Sequence, residues 1–267
     1  MTRKTFLGLL AVYFGLPLLA ALLYSVATRW TDTPLPDGYT LEHWAKLVTK
    51  PDVAAALGRS VLLSVVVVAI NIVLVVPAAY WSVVHNPKVG SIIQSVAVIP
   101  FAVPWVVVGA GIQLVTASVA PDLFRTFWLL AASTAAISFP FMYWAVESAL
   151  LAAGAVQLSE AAATCGATPG QTLARVILPA VRGGVVSGSL LVVATAMNEF
   201  ALAKILVGVS YETLPLWSAR QFVSRTLSDP NALAVITVFT FGFLFAMSAL
   251  VVRLGRGRVT TIGRTLR

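Results

Sequence analysis

Residues 61–81 read VLLSVVVVAINIVLVVPAAYW, an uncharged run of twenty-one residues broken only by Ser64, Asn71, Pro77 and Ser82 beyond its end. A helix needs about 20 such residues to cross the ~30 Å hydrocarbon core of a bilayer. Transmembrane β-strands are shorter and alternate in polarity, and this run does not alternate. Backbone in lipid must satisfy its hydrogen bonds internally, so the stretch is predicted to be a membrane-spanning helix.

The rest of the chain agrees. Of 267 residues, 59% are hydrophobic and 10% charged, against about 25% charged in an ordinary soluble domain. Such a chain cannot cover a water-facing surface, and lipid is its main solvent. Six apolar runs are long enough to span, at about 5–27, 60–84, 91–118, 127–148, 184–208 and 231–252. The fold class is therefore all-α, a polytopic membrane protein forming a single domain over 1–267. Pro17, Pro77, Pro100, Pro104 and Pro140 fall within these runs. Neighbouring helices can satisfy the carbonyls that proline frees, so kinked spans are expected.

Arg3, Lys4 and the triplet SVA at 25–27 resemble a signal peptide. The apolar run from Phe6 to Leu23 exceeds the 7–15 residues of a signal peptide core, which favours a retained span. Cys165 is the single cysteine, which excludes an internal disulfide.

Orientation follows from basic residues. With an inner N-terminus the inner side carries Arg3, Lys4, Lys88, Arg175, Arg182, Arg253, Arg256, Arg258, Arg264 and Arg267, ten of the eighteen. Five arginines and no acid follow the last span, in the tail 253–267, where the positive-inside bias is most informative. Both termini are expected in the cytoplasm. The tail meeting anionic headgroups of the bilayer accounts for the net charge of +8 without a nucleic-acid partner. Residues 28–59 become an outer loop with a short helix from Leu41 to Val48, residues 209–230 a second outer segment, and residues 149–183 an inner one.

The inner segment, LSEAAATCGATPGQTLARVILPAVRGG at 158–184, looks soluble. Ser159 is a candidate cap, Glu160 suits a first helical turn, and Ala161 to Ala163 favour helix. Gly166 ends that helix. Thr168, Pro169 and Gln171 have the spacing of a capping box with proline at the first helical position. A second helix is expected to reach Leu178 and stop at Pro179. Two short helices with a tight corner result.

The spacing E-A-A, three residues, G, nine residues, an aliphatic residue, one more, then L-P resembles that of membrane subunits of binding-protein-dependent ABC importers. Here it comprises Glu160, Ala161, Ala162, Gly166, Val176, Leu178 and Pro179, with valine at the usual isoleucine. Six fixed residues would coincide by chance with a probability on the order of 10⁻⁴. The resemblance extends over about 55–250, and NEF at 198–200 with DPNALAV at 229–235 is most similar to the subgroup importing polyamines, aminoalkylphosphonates or ferric iron.

That resemblance implies a permease of the bacterial inner membrane, forming half of a translocation path. It implies partners as well: ATP-binding-cassette ATPase subunits that dock the E-A-A helix and hold ATP and Mg, a second permease subunit, usually a distinct sister, and an extracytoplasmic solute-binding protein. Glu160, Ala161, Ala162, Gly166, Leu178 and Pro179 are its coupling residues.

The chain carries no nucleotide chemistry of its own. GATPGQT at 166–172 lacks the lysine of a phosphate-binding loop. His43 and His85 have no second ligand at metal-binding spacing, so neither a metal site nor a cofactor is expected on this chain. Glu199 is the ionisable residue noted at membrane depth, beside Asn198, where a charge costs at least about 2.5 kcal/mol unless paired or wet. Two readings stay open: contact with solute along the translocation path, or an internal hydrogen bond that orients the helix. Lys204 is expected to snorkel outward. A six-span secondary transporter or channel is the alternative class, though it would need no docking loop.

Overall fold

The computed structural model describes residues 3–30, 33–223 and 230–256. They form helices α1 (Arg3–Val26), α2 (Glu42–Val48), α3 (Pro51–Val84), α4 (Pro87–Ala102), α5 (Trp105–Val119), α6 (Phe127–Ala152), α7 (Ala155–Thr164), α8 (Pro169–Thr172), α9 (Leu178–Met197), α10 (Ala201–Leu206), α11 (Leu214–Val223) and α12 (Pro230–Arg256). Among the described residues, β structure amounts to one bridge, Ala27 with Tyr39. The chain is an all-α polytopic membrane protein. Thr5–Val26, Pro51–Val84, Phe127–Ala152 and Pro169–Met197 are each long and apolar enough to span, and Leu233–Ala246 is the described apolar part of α12.

Two compact units divide the chain: Met1–Leu57 with Trp217–Leu250, and Gly58–Leu216 with Val251–Arg267. In the first, the backbone turns back after α1. The Thr28 amide donates to the Gly38 carbonyl at 3.0 Å and the Thr40 amide to the Val26 carbonyl at 2.6 Å. A Cβ on Gly38 would stand 2.9 Å from Thr28 Oγ1, so glycine permits this approach. The turn carries α2, which Trp44 ties to Ser25 through an indole N–H bond of 3.4 Å. The carbonyl of Ala27 also accepts from Asn231 Nδ2 of α12 at 2.5 Å.

In the second unit α6 is the central element. Leu130, Ala131, Ile137, Met142, Tyr143, Val146 and Leu150 are buried along it. Its most extensive seam is with α9. Gly184 and Gly188, one turn apart, make that seam possible, because a Cβ on Gly184 would meet Ala149 Cβ at 2.4 Å and the Ala145 carbonyl oxygen at 2.7 Å. Small residues four apart allow helix backbones in membranes to approach closely. Asn71, buried in the middle of α3, donates to Ser138 Oγ of α6 at 3.4 Å and to its own Val67 carbonyl at 3.0 Å.

Four expectations are corrected. The third span is two helices, α4 and α5, bent by 102°. Pro104 forces the residue before it out of the helical region, and Val103 is extended at φ −111°, ψ 129°. The indole N–H of Trp105 donates to the Pro100 carbonyl at 2.9 Å, satisfying one acceptor at the break. By contrast, Pro17, Pro77, Pro100 and Pro140 lie inside continuous helices.

The fifth span does not begin at 184 and run to 208. It is helical from Pro169 to Met197, is interrupted at residues 198–200, and resumes as α10. Pro179 therefore does not stop a helix. Residues Leu173–Ile177 widen into a π turn, with the Leu178 amide donating five residues back to the Leu173 carbonyl. Pro179 has no amide to offer Arg175, and the ladder changes register just ahead of it.

The fourth correction concerns Ser159, which does not cap α7. Gly154 does so at φ +64°, and Ser159 lies inside the helix.

The outer segments differ in extent from the expected loops. α3 begins at Pro51, within 28–59. A 3₁₀ turn, Gly208–Tyr211, overlaps the start of 209–230 and α11 lies within it, while residues 224–229 are outside the described residues. Of the basic tail 253–267, Arg253 and Arg256 end α12 and residues 257–267 lie outside the described residues.

Candidate functional site

The segment between α6 and α9 is fixed at every end by local hydrogen bonds. α7 closes in a Schellman motif: the Gly166 amide donates to the Ala163 carbonyl at 2.9 Å and the Ala167 amide to the Ala162 carbonyl at 3.1 Å. Gly166 has φ +78°, a conformation in which an L side chain is strained. Two residues on, Thr168 and Gln171 form a reciprocal capping box. The Thr168 amide donates to Gln171 Oε1 at 2.9 Å, and the Gln171 amide to Thr168 Oγ1 at 3.4 Å. Pro169 occupies the first helical position of α8. Between these caps the chain has little freedom, and α7 packs against α8 and the π turn.

α7 has an inner and an outer face. Ala155 and Ser159 are buried on the inner one. The Ser159 hydroxyl donates to the Ala155 carbonyl at 2.7 Å, which leaves its oxygen to accept from Tyr80 of α3 at 3.2 Å. Glu160, Ala161, Ala163, Thr164, Cys165 and Gly166 are exposed, and Ala162 is half-buried. Leu178 and Pro179 are exposed too, but lie on α9 beyond the π turn, while Ile177 beside them is fully buried. The seven motif residues thus separate into a largely exposed, alanine-rich patch at the end of α7 and a junction where the π turn meets α9. The patch is small-featured and rigid, with one carboxylate at its edge.

Asn198 and Glu199 form the interruption between α9 and α10. Asn198 is exposed and donates to the Ala194 carbonyl at 2.9 Å. Glu199 is 1% exposed. Its Oε1 accepts the Leu202 amide of α10 at 2.6 Å, and its Oε2 is buried without a hydrogen-bond partner among the described residues. The carboxylate serves the amides that the broken helix frees, the role an acid plays at a helix start. Lys204 is exposed on α10 with its Nζ 5.4 Å from the Phe200 ring centre.

One polar group escaped the sequence reading. Glu147, near the end of α6, accepts through Oε1 from Gln94 Nε2 of α4 at 2.9 Å and from the Tyr143 hydroxyl at 3.0 Å. Its spacing of four from Tyr143 was the available signal, since such residues share a helix face. The two histidines make local contacts. His85 stacks on Trp81 with ring centres 4.4 Å apart, and His43 Nε2 lies 3.1 Å from the Ala27 carbonyl. Among the described residues, no group of three or more His, Cys, Asp or Glu could hold a metal.

Residues 71–259 match the family described as binding-protein-dependent transport system inner membrane component. The molybdenum transport system permease protein ModB of Mycobacterium tuberculosis is 30% identical over 281 residues, covering 95% of this chain and 94% of the relative. PhnV of Salmonella typhi, a permease named for 2-aminoethylphosphonate transport, is 25% identical over 252 residues, covering 92% and 93%. Among solved structures, a bacterial ABC transporter involved in import of the acidic polysaccharide alginate superposes with a TM-score of 0.65. It is 15% identical and covered to 94% on both sides, a likeness of fold. The chain belongs to the family of binding-protein-dependent transport system inner membrane components.

Proposed function

We propose that this inner-membrane permease subunit of an ABC importer receives the force of ATP hydrolysis through the exposed patch Glu160–Gly166, with ATP and Mg held on separate ATPase chains. The supporting observation is the rigidity of the patch: a Schellman stop and a buried Ser159–Tyr80 contact fix α7, and a capping box fixes the start of α8 just beyond it. A helix held in this way can seat in a groove and move as a body instead of deforming. The chain supplies half of the path, the other half coming from a second, sister permease subunit, and an extracytoplasmic binding protein delivers the solute. Segment 149–183 and both termini face the cytoplasm.

Cys165 offers the test. It is the sole cysteine and is exposed at the corner. A membrane-impermeant maleimide is expected to label it in inverted vesicles and not in right-side-out vesicles, and co-expressed ATPase subunits are expected to protect it. Labelling from the outer side would refute the orientation. Unchanged ATPase co-purification and uptake in both Glu160→Ala and Gly166→Val would refute the docking assignment.

For the solute, we infer a small oxygen-rich anion or aminoalkylphosphonate-like molecule in preference to a polyamine. The relatives named for molybdenum and for 2-aminoethylphosphonate each align over nearly the whole chain. Nor does Glu199 offer a carboxylate to a passing amine, since it is buried and bonded to α10. We assign it the helix-orienting role, leaving exposed Asn198 as the residue of the pair that a solute can reach. Thermal shifts of the binding protein encoded beside this chain, with molybdate, 2-aminoethylphosphonate and spermidine in turn, decide the class. Stabilisation by spermidine alone would overturn it.

A further inference from the structure

We infer that Glu147 is the junction of a hydrogen-bond relay through which displacement of α7 reaches α4, the first arm of the broken third span. This rests on the reading of α7 as the ATPase contact.

The relay can be followed contact by contact, with the α3 backbone between Tyr80 and Ser82 as one of its links. Ser159 on α7 spends its only proton on the Ala155 carbonyl, so Tyr80 of α3 donates to it at 3.2 Å. One half-turn further along α3, Ser82 Oγ lies 3.2 Å from the Tyr143 hydroxyl of α6, sharing its one proton between that oxygen and the Ala79 carbonyl at 2.8 Å. Tyr143 donates to Glu147 Oε1 at 3.0 Å, and the same oxygen accepts from Gln94 of α4 at 2.9 Å. The carboxylate is an acceptor only, which sets the direction of both bonds. Tyr80, Ser82 and Tyr143 are all nearly inaccessible to solvent. Where water is excluded, hydrogen bonds are stronger and their loss costs more.

The backbone of α4 lies against the same hydroxyls. A Cβ on Gly90 would stand 3.6 Å from Ser82 Cβ and 3.7 Å from Tyr143 Oη. Four helices therefore meet within a few side chains: α7, α3, α6 and α4. α4 is the one with a hinge, since it leads into the 102° bend at Val103–Pro104. A push on α7 is transmitted by Tyr80 and Ser82 to the Tyr143–Glu147 pair, and Gln94 carries it to a helix that can pivot. Glu147 is a positioning residue in this scheme and touches no solute.

The assembled transporter provides the test: this chain with its sister permease and ATPases, in proteoliposomes. A reporter Ser91→Cys on α4, in a Cys165→Ser background, is labelled with a fluorescent maleimide with and without ATP and orthovanadate. Expected is a change in labelling rate of threefold or more on vanadate trapping. Tyr80→Phe and Glu147→Ala should lose that change while trapping the same amount of vanadate. Glu147→Gln, which keeps an acceptor oxygen for both donors, should retain it.

Persistence of the change in Tyr80→Phe and Glu147→Ala would overturn the relay, as would its absence from the parent. Should either variant assemble poorly, Gln94→Leu cuts the last bond at an exposed position and carries the same expectation. Docking is judged separately, by crosslinking Cys165 of the native chain to the ATPase. Crosslinking with an unaltered α4 response removes the relay alone, whereas no crosslinking removes its input.

Discussion

Two adjacent glycines of α9 provide a quantitative test of the α6–α9 seam. Gly184→Ala places a Cβ 2.4 Å from Ala149 Cβ and 2.7 Å from the Ala145 carbonyl oxygen. Carbon atoms reach their optimum at about 3.5–4.0 Å, so the first contact is short by about 1.2 Å. The second is with backbone, which cannot rotate aside. The helices must separate locally by about 1 Å, and overpacking of this kind costs about 1–3 kcal/mol. Gly183→Ala meets nothing within 4 Å. It gains helix propensity instead, a stabilisation of up to about 1 kcal/mol. Thermal unfolding of the purified subunit in detergent, followed by size-exclusion fluorescence, should thus move in opposite directions for neighbouring residues. The double variant Gly184→Ala/Ala149→Gly relieves the 2.4 Å contact but not the one with Ala145, and should recover part of the loss. Equal shifts for Gly183→Ala and Gly184→Ala, or an unaltered midpoint for the latter, would refute the packing argument.

Other consequences are equally direct. Thr168→Val removes one half of the capping box and should weaken the corner by about 0.5–2 kcal/mol, read as faster amide exchange at Gln171 with the spans unaffected. Glu199→Gln keeps an acceptor for the Leu202 amide and should preserve both melting point and transport, while Glu199→Leu should lower both; a transport defect confined to Gln would restore the solute-contact reading. Tyr211, in the 3₁₀ turn outside the spans, is held above the ordinary phenol range by burial, with Arg59 opposing. Its folded value is raised, so its contribution is complete below the unfolded phenol value of about 10 and is lost as pH climbs through the higher folded one. Absorbance at the phenolate band should show a late-titrating component that loses the amplitude of one tyrosine in Tyr211→Phe.

Much of the segment between α6 and α9 was legible because its structure is made by near neighbours. Thr168, Pro169 and Gln171 need only one another to form a cap, and Gly166 needs only its own backbone. Ser159 was misread for the opposite reason. A serine before a helix-forming run looks like a cap, but Gly154 starts the helix a turn earlier and leaves the hydroxyl facing Tyr80, seventy-nine residues away. Glu147 passed unnoticed because its importance lies in Gln94, fifty-three residues distant.

By itself, then, the sequence determined that the chain is helical and lives in lipid, because composition and run length leave no other way to satisfy the backbone. It also determined the rigid corner and the spacing that marks the family. Only the tertiary structure decided how each proline is used. Pro104 breaks a span, while Pro140 is buried within α6 and Pro179 is absorbed by a π turn. It decided as well that Glu199 turns inward to serve α10. The reason is common to all of these. A freed carbonyl, a wide turn or a charge at membrane depth is stable only where another helix or a neighbouring turn supplies its partner, and which one arrives is set by packing.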